Sequence, residues 1–266
     1  MNILMTGCDG YIGSHLKPYL EENGHDVSVY AYDIHHIDTS YLRGIDMVIH
    51  LAAMTGVRDS FEKQEEYYYE NVEGTKAVFR ACRLTDTRVI YASSSNAKEW
   101  WTNPYAVTKK INEETSPQNS IGIRPHTVYP GRPDMLYGML TNDVESVEYI
   151  NGHHYRDFTH IEDFCSATFT IIENYDIIVS KNKSVIEERI NSGEKPLYSR
   201  VVDKRVIIDI GTGMGQRVLD VAKTFGWKGE VRTDPTPKER EVTIANTDIL
   251  THYGWKPEHL ICKSPF

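Results

Sequence analysis

No apolar run in this chain approaches the roughly 20 residues of a membrane-spanning helix, which excludes a helical membrane protein. Cysteine is scarce. Cys8, Cys82, Cys165 and Cys262 stand far apart with no Cys-x-x-Cys pair, so neither a disulfide frame nor a zinc site is expected. They read as reduced thiols of a cytoplasmic protein. The pairs His35-His36 and His153-His154 lack partners at ligand spacing, and no metal is expected. Positive charge is in deficit: 29 Lys and Arg face 38 Asp and Glu, for a net charge of −9. That balance argues against a nucleic-acid surface, and any anionic ligand has to meet local arginines and lysines. Internal repeats and low-complexity blocks are absent. The first strand begins at Asn2, which leaves no room for a signal peptide.

What is present is an ordinary globular composition, 40% apolar and 25% charged over 266 residues, enough for one or two domains. Asn2–Met5 reads as a buried strand. A glycine-rich turn follows, then a helix over Ser14–Asn23 that Gly24 stops. Val27–Tyr32, the apolar run Met47–Ala53, Val89–Ala92 and Ile121–Ile123 read as further strands. Ser60–Leu84 reads as one helix. Asn103 is a good N-cap and Pro104 a good first residue for the helix carrying Tyr105 and Lys109. Strand alternating with helix predicts a Rossmann-type α/β fold with a doubly wound parallel sheet. Residues 1–125 form the dinucleotide-binding domain in this reading, with strands returning from 150–170 and 205–211. Residues 126–266, richer in Pro, Gly and Tyr, form mainly a smaller substrate-binding lobe. Phe164–Asn174 and Val218–Phe225 read as its helices, and Lys181–Lys204 as a surface excursion.

Ligands of such sheets bind at the carboxyl ends of the strands, where the chemistry-bearing motifs fall. Thr6-Gly7-Cys8-Asp9-Gly10-Tyr11-Ile12-Gly13 follows a strand and opens a helix. Its glycines let the backbone approach a pyrophosphate at a helix N-terminus, where free N–H groups favour anions. The acid that usually holds the adenosine ribose is missing from the end of the second strand, where Ala31 and Tyr32 stand. Asp33 comes slightly late and is the candidate for the ribose or adenine. No arginine follows until Arg43, which favours NAD over NADP. Asn71 is a polar residue suited to holding active-site backbone. In Ser93-Ser94-Ser95 … Tyr105-x-x-x-Lys109, the tyrosine and lysine share one helix face. An ammonium beside a phenol favours the phenolate, which makes Tyr105 a base near neutral pH, and Ser95 can share the substrate's proton. Such a set takes a proton from an alcohol while a hydride leaves its carbon.

In chain order, Thr-Gly-x-x-Gly-x-x-Gly, His50-Leu51-Ala52-Ala53, Asn71-Val72-x-Gly74-Thr75, Tyr91-Ala92-Ser93-Ser94-Ser95 and Tyr-x-x-x-Lys resemble the extended short-chain dehydrogenase/reductases. These include the nucleotide-sugar epimerases and dehydratases. Arg156-Asp157-Phe158-Thr159-His160-Ile161-Glu162-Asp163, Ile210-Gly211-Thr212-Gly213 and Gly254-Trp255-Lys256-Pro257 are similar to further landmarks of that family. Gly56–Ser60, Tyr105–Glu113 and Thr127–Met135, with Gly131-Arg132-Pro133-Asp134-Met135, look like its UDP-glucuronate 4-epimerase branch. The resemblance implies NAD held by Gly7, Gly10, Tyr11, Ile12, Gly13, Asp33, Ile34, Leu51, Ala52, Ala53, Asn71, Ser93, Tyr105, Lys109 and His126. It implies a UDP-sugar at Ser94, Ser95, Thr127, Arg132 and Arg156. Arg132 is expected near the sugar carboxylate or phosphates, and Arg156 on the diphosphate. Lys109 is expected to bind the nicotinamide ribose and to lower the Tyr105 pKa. A homodimer through a four-helix bundle of the Ser60–Leu84 and Tyr105 helices is implied as well.

The chain also departs from the family. Asp33-Ile34 follows the second strand directly, where a helix and a strand usually intervene. Only ten residues lead from Ser95 to Tyr105, a shortened stretch beside the substrate. Arg232 and Arg240 are substitutes for a C-terminal arginine often found on the diphosphate. The dehydratases place an acidic pair directly after the serine or threonine; Asn96 and Ala97 stand here and do no acid–base work. A 4-epimerase asks for no residue that the chain lacks. Tyr105 takes the C4 hydroxyl proton, NAD takes the hydride, Ser95 hydrogen-bonds O4, and the 4-keto sugar turns before the hydride returns. A 4-keto-sugar reductase uses the same three residues. A non-catalytic dinucleotide-binding module is the reading of another class.

Overall fold

The computed structural model describes residues 1–182, 205–233 and 239–261. Most of the expected 181–204 excursion lies outside these residues, as does Cys262; Cys8, Cys82 and Cys165 are buried free thiols. The main sheet has six strands: β1 (Asn2–Thr6), β2 (Asp26–Tyr30), β3 (Met47–His50), β4 (Arg88–Ala92), β5 (Ser120–Pro125) and β6 (Val206–Ile210). They are parallel throughout, in the order β6-β5-β4-β3-β1-β2. The order reverses between β1 and β3, and this switch point opens a crevice at the carboxyl ends of the strands.

Four longer helices flank the sheet: α1 (Tyr11–Glu22), α2 (Thr75–Thr85), α3 (Pro104–Thr115) and α4 (Ile161–Glu173). Alternation along the strands feeds a core on each face. Ile3, Met5, Met47 and Ile49 join Leu16 and Leu20 of α1 and Phe164 and Ile171 of α4. Leu4, Val48, Val89 and Tyr91 join Val78 and Phe79 of α2 on the other face. A third core holds the smaller lobe together, with Tyr129, Ile150, Phe158, Leu219 and Trp227 at its centre. That lobe carries three short strands, Gly215–Arg217, Tyr155–Asp157 and Val242–Thr243, paired in that order. Among the described residues, no helix is long and apolar enough to cross a membrane.

Local chemistry explains the helix ends. Gly24 takes φ +85° and its N–H returns to the Glu21 carbonyl, which closes α1. The Asn103 side chain accepts the Ala106 N–H at 2.8 Å and Pro104 follows, as expected, a cap worth about 1 kcal/mol.

The single helix expected over Ser60–Leu84 is corrected. It is broken into Asp59–Glu62, Gln64–Tyr68, a π-helical turn over Tyr69–Gly74, and α2. The wide turn frees Asn71 to bond outside the helix. At Gly74 a Cβ would sit 2.6 Å from Ile34 Cγ2, so the glycine permits the close approach of the 33–36 turn.

Candidate active site

The glycine turn leads from β1 into α1. Gly7 has φ +73°, and a Cβ there would meet the Ala52 nitrogen at 2.6 Å. A Cβ on Gly13 would lie 2.2 Å from the Gly7 carbonyl oxygen. Both positions therefore require glycine. Gly10 is the N-cap residue of α1 and offers no side chain to the first-turn N–H groups. The Tyr11 hydroxyl is buried beside the Gly131 backbone. Leu51 and Ala52 donate their N–H groups to the Thr6 carbonyl and hydroxyl, both at 3.2 Å, so the Leu51–Ala53 turn lies against the glycine turn. The uncapped first-turn N–H groups of α1 and the close backbone approach fit a dinucleotide pyrophosphate.

Asn71 is fully buried and holds the next residue of that turn. Its amide accepts the Met54 N–H at 2.7 Å and donates to the Met54 carbonyl at 3.0 Å. It also donates to Thr108 of α3 at 3.2 Å. A second chain of bonds links the glycine turn to α3 through a residue that sequence reasoning did not single out for this role, His50. Thr6 meets His50 Nδ1 at 2.8 Å, His50 Nε2 meets Thr75 at 3.0 Å, and Asn112 donates to Thr75 at 3.2 Å. The Thr6 hydroxyl also accepts the Ala52 N–H, so the Leu51–Ala53 turn joins the same network. Burial, with the nearby Lys109 charge, drives the His50 pKa down to about 3.

The adenosine side is spare. Asp33 spends one carboxylate oxygen on the His35 N–H at 2.9 Å, capping its own turn. Ile34 is buried against α2 and Gly74. Tyr30, Tyr32 and Tyr41 form an aromatic group beside this turn, with Tyr32 69% exposed.

Three consecutive residues at the end of β4 meet α3. The Ala92 carbonyl accepts from Lys109 Nζ at 2.9 Å. The Ser93 hydroxyl donates to Glu113 at 2.5 Å. The Ser94 hydroxyl lies beside the Tyr105 phenol and acts to lower its pKa. Ser95 opens the 3₁₀ turn that follows, and its carbonyl accepts from Arg240 at 2.7 Å. The Tyr67 ring packs edge-on to Tyr105 at 6.3 Å, and its hydroxyl is held by the Thr55 and Gly56 carbonyls.

Burial pushes the Tyr105 phenol above its ordinary value, and the Ser94 hydroxyl pulls only partly against it. Lys109 is 3% exposed, directs its ammonium at Ala92, and lies 5.9 Å from the Tyr105 ring centre. Desolvation lowers its own pKa to about 8. Loss of water thus outweighs attraction between the two groups.

Around this centre lie the remaining candidates. His126 is buried, donates its N–H to the Ile210 carbonyl, and stands 3.6 Å from Asp209. Lys98, in the shortened stretch, also pairs with Asp209. Attraction from His126, the Asn246 N–H and Lys98 overcomes burial and holds the Asp209 carboxyl well below its usual range. The Thr127 carbonyl accepts from Thr159. Arg132 is half exposed and makes a bidentate pair with Asp134 at 3.0 and 2.9 Å. Arg156 binds the Tyr155 and Glu241 carbonyls at 2.9 and 3.0 Å. Arg240 bridges Ser95 to Glu99, which closes the C-terminal segment over the shortened stretch.

A parallel sheet, a glycine turn at its switch point and a tyrosine–serine–lysine set beside it are matched from outside the chain. The family model described as "Epimerase: NAD dependent epimerase/dehydratase family" covers residues 3–186. The chain belongs to that family. Its cofactor is NAD. Protein CapI of Staphylococcus aureus is 28% identical over 326 aligned residues, covering 98% of this chain and 95% of CapI. That alignment is longer than the 266 residues available here, so CapI carries stretches that this chain lacks. UDP-glucuronate 4-epimerase 2 of Arabidopsis thaliana is 27% identical over 226 residues, 61% of this chain and 52% of that protein. Among solved structures, the Bacillus cereus UDP-glucuronic acid 4-epimerase in complex with UDP-glucuronic acid and NAD superposes with a TM-score of 0.74 at 23% identity. The match covers 98% of this chain and 95% of that one. At that identity the likeness carries the fold.

Sequence reasoning missed the roles of His50, Tyr67, Lys98, Glu113, Arg124 and Asp209. Glu113 had a visible signal, since it stands four residues after Lys109 and eight after Tyr105 on the same helix face. Asp209 had none, because only tertiary structure brings β6 to Lys98.

Proposed function

We propose that this family member is an NAD-dependent nucleotide-sugar 4-epimerase acting on a UDP-uronate. The observation that carries the reading is Tyr105 beside Ser94 with Lys109 buried one turn along α3. NAD supplies the hydride acceptor and, later, donor. Tyr105 takes the C4 hydroxyl proton at its phenolic oxygen and returns it. Ser94 orients that oxygen and the sugar O4, the role expected of Ser95. Lys109 holds the nicotinamide ribose and keeps positive charge near the phenol. Glycines 7, 10 and 13 hold the pyrophosphate. Arg132, now facing the Asp134 carboxylate, offers the same bidentate face to a uronate carboxylate. Arg156 and Arg240 supply charge for the diphosphate.

Asn96 and Ala97 supply no acid for dehydration, which sets the reading apart from the family's dehydratases. A homodimer through the helices of residues 59–85 and α3, in the cytoplasm, belongs to the same reading; sedimentation velocity tests the dimer. The enzymatic test is incubation with UDP-glucuronate, UDP-galacturonate, UDP-glucose and UDP-galactose, with products followed by NMR. Interconversion of the two uronates without added NAD supports the epimerase. Consumption of added NADH or NADPH with a 4-keto sugar supports a reductase instead. Bound dinucleotide with no turnover of any sugar supports a binding module. An identical product profile from Tyr105→Phe rejects the mechanism.

A further inference from the structure

A second cluster of functional side chains lies at the start of α4. His160 is the N-cap residue and Glu162 lies in the first turn. The segment after Trp255 returns to this helix end and brings His259 to the same place. Asp163 is 2% exposed and anchors that segment. Its carboxylate accepts the Glu258 and His259 N–H groups at 3.0 and 2.9 Å and meets His259 Nδ1 at 3.0 Å. A carboxylate only accepts, so His259 Nδ1 carries a proton. Nε2 faces Glu162 Oε2 at 3.2 Å, a separation bridged either by a proton on an imidazolium or by a metal ion on the neutral ring. The His160 ring stacks on His259 with centroids 4.3 Å apart, and its Nδ1 is 4.0 Å from the same Glu162 oxygen. One ligand-type atom from each of the three residues lies within 4.8 Å of the others.

We propose that His160, Glu162 and His259 bind a divalent transition-metal cation of the zinc class. Two imidazoles and one carboxylate are a donor set for zinc, whereas calcium and magnesium take more oxygen ligands. Zinc bonds of about 2.0–2.2 Å in a tetrahedron set neighbouring ligand atoms about 3.3 Å apart. The Glu162–His259 edge already has that length, and rotation of the partly exposed His160 side chain supplies the third ligand. The Asp163–His259 bond fixes the tautomer that ligation needs, as outer-shell carboxylates do at metal-bound histidines. Water completes the fourth position. The cation clasps the segment around His259 to the N-terminus of α4, and the sugar chemistry does not use it.

The test uses the untagged full chain, freed of metal with EDTA and titrated with zinc chloride by calorimetry. Cobalt(II) absorption then reports coordination geometry. One equivalent per chain is expected, with a tetrahedral cobalt spectrum. Glu162→Gln and His259→Gln are each expected to weaken zinc binding by at least about tenfold. His153→Gln, at the other histidine pair, is expected to leave it unchanged. The Glu162 side chain is 67% exposed, so Glu162→Gln reads the site even where a change at His259 loosens the C-terminal segment. Absence of zinc binding overturns the proposal and assigns the position between His259 and Glu162 to a proton. Equal affinity in wild type, Glu162→Gln and His259→Gln overturns it as well.

Discussion

Ser93 donates its hydroxyl hydrogen to Glu113 at 2.5 Å, and this bond fixes the register between the end of β4 and α3. Residues 92, 93 and 94 engage Lys109, Glu113 and Tyr105, three residues spaced four apart on one helix face. Arg124 closes the far side with bonds of 2.7 and 2.6 Å to the same carboxylate. Glu113 is 3% exposed, so removing it strands a largely buried guanidinium. Glu113→Ala is expected to cost about 3 kcal/mol of folding stability, read by urea unfolding. A loss below about 1 kcal/mol would mean that Arg124 finds full compensation at Asp209, 3.9 Å away.

The same register ranks the serines. Tyr105→Phe removes the proton-transfer group and is expected to lower turnover about 10²- to 10⁴-fold. Ser94→Ala is expected to lower kcat about tenfold, the worth of a hydrogen bond to the reacting phenol. Ser95→Ala is expected to change kcat less, because Ser95 meets Arg240 through its carbonyl, which alanine keeps. A larger loss at Ser95 than at Ser94 would reverse the assignment.

Local signals account for what the sequence revealed. The glycine turn, the Asn103–Pro104 cap and the alternating strands act within a few residues, so their outcome can be read in text. The parallel sheet and NAD binding followed from those signals and from motif order. The π-helical turn at Tyr69–Gly74 did not, because it packs at Gly74 against Ile34, some 40 residues away in the chain. The depth of Lys109 was hidden for a related reason. Spacing places it beside Tyr105, but burial, which spacing does not report, lowers its pKa. Ser94 and Ser95 are adjacent and chemically identical, so only the bend after β4 tells which one faces the phenol.

His50 provides an acid-stability prediction. Its folded pKa of about 3 lies below the unfolded value of 6.5. The unfolded chain therefore binds the extra proton between these values, and stability falls as pH drops through that window. The loss approaches about 4 kcal/mol near pH 3, at roughly 1.4 kcal/mol per unit. His50→Gln is expected to flatten the dependence between pH 6.5 and pH 3 in chemical unfolding, even though it weakens the protein at neutral pH. An unchanged slope would place the acid sensitivity elsewhere.

Lys109 gives the opposite window. Its folded pKa of about 8 lies below the ordinary 10.5, so the folded state loses this proton first as pH rises. Its linkage contribution to stability is absent at neutral pH and grows between pH 8 and 10.5, by about 3 kcal/mol in total. Turnover should move the other way. Above pH 8 the ammonium charge that favours phenolate is lost, so kcat is expected to fall. Lys109→Arg keeps the charge at any working pH. It is expected to be slower at neutral pH and to lack the alkaline fall. An alkaline limb preserved in Lys109→Arg would assign it to another group.

Arg132 tests which sugar the site reads. Its guanidinium makes a bidentate pair with Asp134, and 48% of its side chain is exposed, so exchange for a substrate carboxylate costs little. A uronate in that position forms charge-assisted bonds that a neutral hexose cannot. Arg132→Ala is expected to raise KM for UDP-glucuronate about 10- to 100-fold, corresponding to about 1.5–3 kcal/mol. The same change should leave KM for UDP-glucose nearly unaltered. Arg132→Lys keeps the charge but loses the planar fork, so it should recover only part of the affinity. If both substrates suffer equally, Arg132 contacts the shared diphosphate, and discrimination of the C6 carboxylate falls to Thr127 and its neighbours.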